Sequence, residues 1–352
     1  MQVFAGTSAA SESALSLPSP QLSPGVPVRF EGVQPVNEQP GANLSNYVPD
    51  GLAEPLFGVS VTQARSRPQP GDIPATDSEH WTYAVLDAGR ILHLPERLDG
   101  SGLRHRCLFS GRSQQDMGDV APWLVELDPT SPLTRDLFSR GEATHHLWSA
   151  YPGLFIRTPA RFEMLWAHLR KFTRLRDESG RWLYFRFWEP TTFSTLSGIA
   201  PSEEPWLGRF FGNHQFFWPD SGQDGTTWFG FCRRGEDEVA SPLVLGPVVL
   251  AALEAAVRRR RETEDVKDVR ARLRSSAPEL DLSDEFLASL RSWLQARGFR
   301  SHATLRPAMH GLARRFPEGS PPDPGLLELL SDRRKGAGLR LWHIENWKGG
   351  GR

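Results

Sequence analysis

Cysteine is almost missing from this chain of 352 residues, with Cys107 and Cys232 the only two. Two thiols cannot build a disulfide framework, and no third or fourth is there for a Cys-only zinc site. A reducing compartment is the simplest setting, so the chain is read as cytoplasmic. Lysine is nearly as scarce, at Lys171, Lys267, Lys335 and Lys348, and arginine supplies the rest of the 41 basic residues. The 42 acidic residues cancel them to a formal charge of −1, leaving no overall basic excess of the kind that grips duplex phosphates. Long apolar runs are lacking too. Met1 to Pro20 has no Lys or Arg and no apolar stretch, so no secretory signal peptide is expected there. The most apolar segment, Pro242 to Val257, falls short of the ~20 residues a membrane span needs and is broken by Pro247 and Glu254. Neither a membrane nor a nucleic acid is expected as a partner.

What is present describes a folded, soluble chain of about two domain lengths: 39% hydrophobic and 24% charged residues, with a mean hydropathy of −0.42. The arginine bias has two readings. GC-rich coding produces it with no function attached, while the planar guanidinium also suits interfaces, pairing bidentately and stacking on rings. Tryptophan is abundant, with twelve in all and nine between Trp81 and Trp228. Each buries roughly 200 Å², which predicts a dense aromatic core or a contact surface in that stretch.

Composition divides the chain into three. Residues 1–78 hold eleven of the 29 prolines with many Ser, Gly, Gln and Asn, and read as an extended, partly ordered segment. Its apolar pieces, Val26 to Phe30 and Leu52 to Val61, are expected to drape over the body. A dispensable tail and a partner-binding arm both fit. Residues 79–235 alternate strand and helix signals and predict a mixed-sheet α/β lobe. Strands are expected at Tyr83–Leu86, Arg104–Phe109, Trp123–Leu127 and His145–Ala150, with helices at Ile91–Leu98 and Ser131–Ser139. A further helix is expected to start at Thr158-Pro159 and to bury Phe162, Leu165, Trp166 and Leu169. A hairpin from Phe172 to Trp188 follows. Both parities of its second strand are aromatic, which predicts a central strand covered on both sides. A second hairpin joins Gln215–Trp218 to Thr227–Cys232 through a turn at residues 222–225. Residues 236–352 turn helical: Pro247 to Arg274, a helix capped by Ser283 and closed by Gly298, one carrying Leu305, Met309, Leu312 and Phe316, and a short one at Leu326–Leu330.

Motifs that carry chemistry are sparse. The chain has no His-Glu-x-x-His, no Gly-x-Ser-x-Gly and no phosphate loop. Adjacent His145 and His146 would point to opposite faces of a strand, which is poor metal geometry. Asp87 follows a strand, where a carboxylate can serve as a base or ligand, or simply as a cap or turn acid. Arg186 is expected as a paired, buried guanidinium, with Glu189 nearby and Trp182 or Trp188 to stack on. Arg258, Arg260 and Arg261 each have an acid four residues on, at Glu262, Glu264 and Asp265, so the run reads as a salt-bridged helix face.

Several segments, in order, carry a resemblance: Tyr83-Ala-Val-Leu-Asp87, Cys107-Leu-Phe109, Ala121-Pro-Trp-Leu-Val125, Ser131-Pro-Leu133, Leu165 to Leu169, Leu183-Tyr-Phe-Arg-Phe-Trp-Glu-Pro190 and Phe210-Phe-Gly212. From about Trp81 to Trp218 the chain resembles the type VI secretion effector chaperones or adaptors, a domain of unknown function encoded beside the VgrG spike protein. The family tends to carry Tyr-Asp-Pro where this chain has Trp188-Glu189-Pro190, which keeps the aromatic and acidic character. The proline-rich start lies outside the resemblance. What it implies is a non-enzymatic cytosolic carrier, without cofactor or metal, that binds a toxic effector and helps load it onto VgrG or its PAAR-bearing cap. The α/β and helical lobes would together form the grip. Asp87, Arg186, Trp188, Glu189 and Pro190 are then family-motif residues with a structural role, and the effector and spike contacts are left unassigned. The rival reading is an enzyme of unrecognised class using Asp87 at the sheet edge.

Overall fold

Tyr83 to Leu86 is apolar at both parities, so a strand made from it must be covered on both faces. In the computed structural model, which describes residues 22–39, 47–58, 80–200, 202–220, 226–233, 242–317, 320 and 323–347, that requirement organises the first of two compact units. The units comprise residues 1–249 and 250–352.

Leaving aside the helix Arg112–Met117 and the shorter helical turns, the elements of the first unit run in this order: β1 (Val28–Phe30), β2 (Trp81–Asp87), α1 (Leu94–Ser101), β3 (His105–Cys107), β4 (Pro122–Glu126), α2 (Pro132–Leu137), β5 (Gly153–Thr158), α3 (Phe162–Arg170), β6 (Arg174–Asp177), β7 (Trp182–Tyr184), α4 (Pro190–Ser197), α5 (Trp206–Phe211), β8 (Gln215–Pro219), β9 (Trp228–Cys232) and β10 (Val244–Leu245). Seven strands form one sheet in the order β1-β9-β8-β5-β2-β4-β3. Every neighbouring pair in it is antiparallel. A smaller sheet, β10-β6-β7, combines a parallel and an antiparallel pair. The expected α/β architecture with sheets of mixed sense is therefore present.

Register sorts the side chains of the large sheet. Ala84, Val125, Phe155 and Phe217 fall on one face and join Leu94 and Leu98 of α1, Leu133 and Leu137 of α2, and Phe138 in one core. Tyr83, Phe216 and Phe231 fall on the other and meet Phe162 of α3, Phe193 of α4 and Phe211 of α5, with ring centroids 4.8–6.1 Å apart. Aromatic rings thus meet directly across the contact between the sheet and its second helical layer.

The N-terminal segment contributes to this core. Val28–Phe30 is the edge strand beside β9, and a helical turn over Asp50–Leu52 and Ala53–Phe57 buries Leu52, Leu56 and Phe57 in the first core. Arg157, buried in the centre of the sheet, donates from Nη1 to the Leu56 carbonyl at 3.1 Å, and the Thr82 hydroxyl donates to the same oxygen. Gly230 of β9 leaves the room that Phe30 and Phe217 fill, since a Cβ there would lie 2.8 and 3.1 Å from their rings.

Three local expectations give way here. His145–Ala150 is not a strand; residues 148–150 form one 3₁₀ turn, and the strand is β5, after Pro152. Thr158 does not cap a helix. It ends β5 paired with Trp81, and α3 begins at Phe162 with Arg161 as its cap residue. The strands buried on both faces are β2 and β5, both interior to the seven-stranded sheet, whereas β7 lies at the edge of the small sheet. The turn expected at residues 222–225 lies outside the described residues.

The second unit holds most of α6 (Pro247–Ser276), then α7 (Asp284–Ala296), α8 (His302–Arg315), α9 (Pro324–Ser331) and α10 (Ala337–Asn346). Val266, Val269 and Leu273 of α6 meet Leu287, Leu294, Leu305, Met309, Leu326 and Ile344 in a separate core. Ser283 caps α7 as expected, its Oγ accepting the Phe286 N–H at 3.1 Å, and Gly298 follows that helix at φ 89°. Phe316 lies just past α8 and lines an apolar cavity of about 230 Å³ with Phe286, Leu290 and Trp293. Helix α10, opened by Gly336, had no counterpart in the sequence pattern. It buries Arg340, whose Nη1 donates to the carbonyls of Leu330 and Arg297 at 2.9 and 2.5 Å.

Candidate functional site

The motif residues converge at the end of β2. Asp87 is the last residue of that interior strand, and its side chain is 1% exposed. Its Oδ1 accepts the Gly89 N–H at 3.0 Å, and its Oδ2 accepts from Arg186 Nη2 at 2.7 Å, with Arg90 Nε 3.8 Å away. Arg186 also reaches Glu189 Oε1 from Nε at 2.8 Å, so one guanidinium bridges two carboxylates. Glu189 is the cap residue of α4 and Pro190 its buried first residue, where the missing N–H costs nothing. Trp188 is buried against Phe187 and Phe109, at 5.3 and 6.3 Å between centroids. These contacts join β2 to the start of α4. They hold the Asp87 carboxylate in a pair and away from solvent, which is poor placement for a base.

Arg186 itself departs from expectation in two respects. It lies beyond β7, in the turn that precedes Pro190, because the strand stops at Tyr184 and proline keeps the residue before it out of helix geometry. Its side chain is 47% exposed, so the pairing is present while the burial is not. The ring near it is Trp188, at 5.9 Å, rather than Trp182.

Other candidates resolve individually. His145 and His146 sit in a loop with their rings 4.3 Å apart, and among the described residues no group of three His, Cys, Asp or Glu side chains could hold a metal ion. Arg260 pairs with Glu264 at 2.8 Å, as the spacing predicts. Asp265, expected opposite Arg261, instead turns into the second unit, where Arg291 Nε, Arg306 Nε and His302 Nδ1 stand at 2.8, 2.7 and 2.9 Å from its oxygens. Burial works to raise that carboxyl's pKa, and the hydrogen bonds from Arg291, Arg306 and His302 together hold it below the ordinary value. In the first unit His214 is buried beside Thr158, with Nδ1 2.7 Å from the hydroxyl, and its pKa is pushed down to about 4 by burial and by the neighbouring His168.

A surface feature had escaped the sequence reading. In the β6–β7 pair Arg174 faces Tyr184 and Arg176 faces Trp182, and all four side chains are solvent-exposed. Arg174 lies 5.1 Å from the Trp182 ring and 5.5 Å from that of Tyr184, and Arg176 lies 4.5 Å from Trp182. Period-two alternation in Arg174-Leu175-Arg176-Asp177 was the available signal, because it puts both arginines on one face. Nearby, Arg106 stacks on Trp166 at 3.7 Å. Arginine and tryptophan on an accessible face are the residues that most often anchor protein–protein contacts.

Against known families, residues 82–204 match the domain of unknown function DUF4123. The matched stretch runs from β2 to just before α5 and contains Asp87, Arg186, Trp188, Glu189 and Pro190. No curated protein and no solved structure matches the chain. No helix among the described residues is long and apolar enough to cross a membrane.

Proposed function

We propose that this protein is a non-enzymatic adaptor of the type VI secretion system, a cytoplasmic chaperone that binds a toxic effector and helps deliver it to the VgrG spike or its PAAR cap. The observation that carries this reading is the DUF4123 match over residues 82–204, a domain associated with effector adaptors of that system. The site chemistry is compatible with it. The motif residues are engaged in holding β2 to α4, and the accessible face on β6 and β7 offers arginine and aromatic side chains suited to a protein partner. The rival enzymatic reading would need Asp87 available to a substrate, and its carboxylate is spent on Arg186 and the Gly89 N–H.

Co-expression tests the proposal. The tagged full chain, produced with the proteins encoded by its neighbouring genes, should co-elute on size exclusion with a toxin or a VgrG or PAAR spike component. Elution alone across a range of salt, with those neighbours present, would overturn it.

A further inference from the structure

Among the described residues no strand pairs with the outer edge of β7. β6 takes the hydrogen bonds of the odd-numbered residues, with Asp177 N–H donating to the Arg181 carbonyl at 3.0 Å and Phe185 N–H to that of Thr173 at 2.9 Å. In an antiparallel pair the intervening residues point their backbone groups the other way. Trp182 and Tyr184 therefore turn their N–H and C=O groups outward from the last strand of the sheet, and among the described residues nothing bonds to them. An open edge of this kind is a template for an incoming strand.

The side chains above that edge carry positive charge. Arg174 and Arg176 stack on the rings of Trp182 and Tyr184, so cations and aromatic rings share one face of the strand pair that ends at this edge. Among the described residues neither forms an ion pair, and neither does Lys171. The hairpin's own Asp177 is turned to the opposite face and is held by Ser179 and Arg181. A cavity of about 230 Å³ against Trp182 adds Arg170 and Lys171 beside Ser110 and Ser113. Two arginines thus stack on the exposed rings of Trp182 and Tyr184, and two further cations share the cavity beside Trp182.

We infer that β7 is the docking edge for an acidic, extended segment of the cargo protein, which adds a fourth strand to the β10-β6-β7 sheet and lays its carboxylates against Arg174 and Arg176. The cargo in this statement rests on the adaptor reading above. A nucleic acid would find the same cations and rings, but it cannot supply alternating N–H and C=O groups to the outward backbone of Trp182 and Tyr184.

Fluorescence anisotropy with the full chain tests this, using a labelled peptide of alternating glutamate and valine. Its controls are a lysine-for-glutamate twin, two versions N-methylated at one or the other parity, and an oligothymidine. The glutamate peptide should bind, with the lysine twin, the oligothymidine and one of the N-methylated versions weaker by at least about tenfold. Arg174→Glu/Arg176→Glu should cost at least as much, with Arg174→Gln/Arg176→Gln as a milder second variant and an unchanged melting curve as the fold control. Absence of glutamate-peptide binding, indifference to both N-methylated versions or to the charge reversal, or tighter binding of oligothymidine would each overturn the proposal. Co-expression separates the two readings. If the wild-type chain captures the toxin and Arg174→Glu/Arg176→Glu captures it equally well, the docking edge falls and the adaptor stands. If the wild-type chain captures nothing, the adaptor reading falls and the peptide titration still decides the edge.

Discussion

Arg186 Nη2 stands 2.7 Å from Asp87 Oδ2, linking residues 99 positions apart and fastening the turn before α4 to the end of β2. The two partners are unequally placed, since Asp87 is buried and Arg186 is half-exposed. Arg186→Ala would leave a buried carboxylate with only Gly89 N–H and a distant Arg90, and should destabilise the fold by roughly 2 kcal/mol, below the range for a fully buried pair. Urea unfolding measures it. Asp87→Ala/Arg186→Ala should lose less than the two single losses added together, because each single change strands the other's partner.

Acid should act first through His214. Its folded pKa, about 4, lies below the ordinary histidine value of about 6.5, so the unfolded chain binds more protons between those values. The stability it contributes is complete above pH ~6.5 and declines as pH falls toward 4, by roughly 3 kcal/mol in all. Urea midpoints at neutral pH and near pH 4.5 should differ clearly for the native chain and less for His214→Gln. An equal drop in both would refute this.

The Asp265 cluster should respond in a lower window. A carboxyl held below its ordinary pKa contributes stability above about pH 4, and that contribution fades only as pH falls through the depressed folded value. Asp265→Ala at neutral pH would leave the buried Arg291 without its carboxylate and should cost about 3 kcal/mol. Asp265→Asn, which keeps an acceptor, should cost less. Calorimetric melting of the full chain reads both.

The N-terminal segment should behave as part of the first core. Phe30 is buried with its ring 6.2 Å from Phe217, and Phe30→Ala should lose about 3 kcal/mol. An unchanged urea midpoint would mean that β1 is an ornament on the sheet edge.

Period and capping made much of this fold readable. Tyr83–Leu86 announced a doubly covered strand, and Ser283 and Gly298 bracketed α7 correctly, because local hydrogen bonds and backbone geometry decide those features. What failed was the part decided by distant packing. Trp182 and Tyr184 look like core aromatics in one dimension, yet among the described residues their strand has a neighbour on one side only, and their rings are occupied by arginines. Arg186 was correctly paired with an acid, and its exposure depended on where the chain turns before Pro190. Val28–Phe30 found its place through β9, roughly two hundred residues later, which no local signal encodes. Within the motif site, the Glu189 pair lay within reach of sequence spacing, while Asp87 as the second carboxylate required the fold.

The matched segment, residues 82–204, ends before α5, β8 and β9 and begins after β1. Expressed alone it would keep β5 but strip away β8, leaving Phe155 to Arg157 of the central strand as a raw sheet edge. It would also uncover Phe193, which now packs on Phe216 and Trp218. Such a fragment is a recipe for edge-to-edge association. The unit of sequence similarity and the unit that can fold are different lengths of the same chain, and cloning boundaries should follow the sheet.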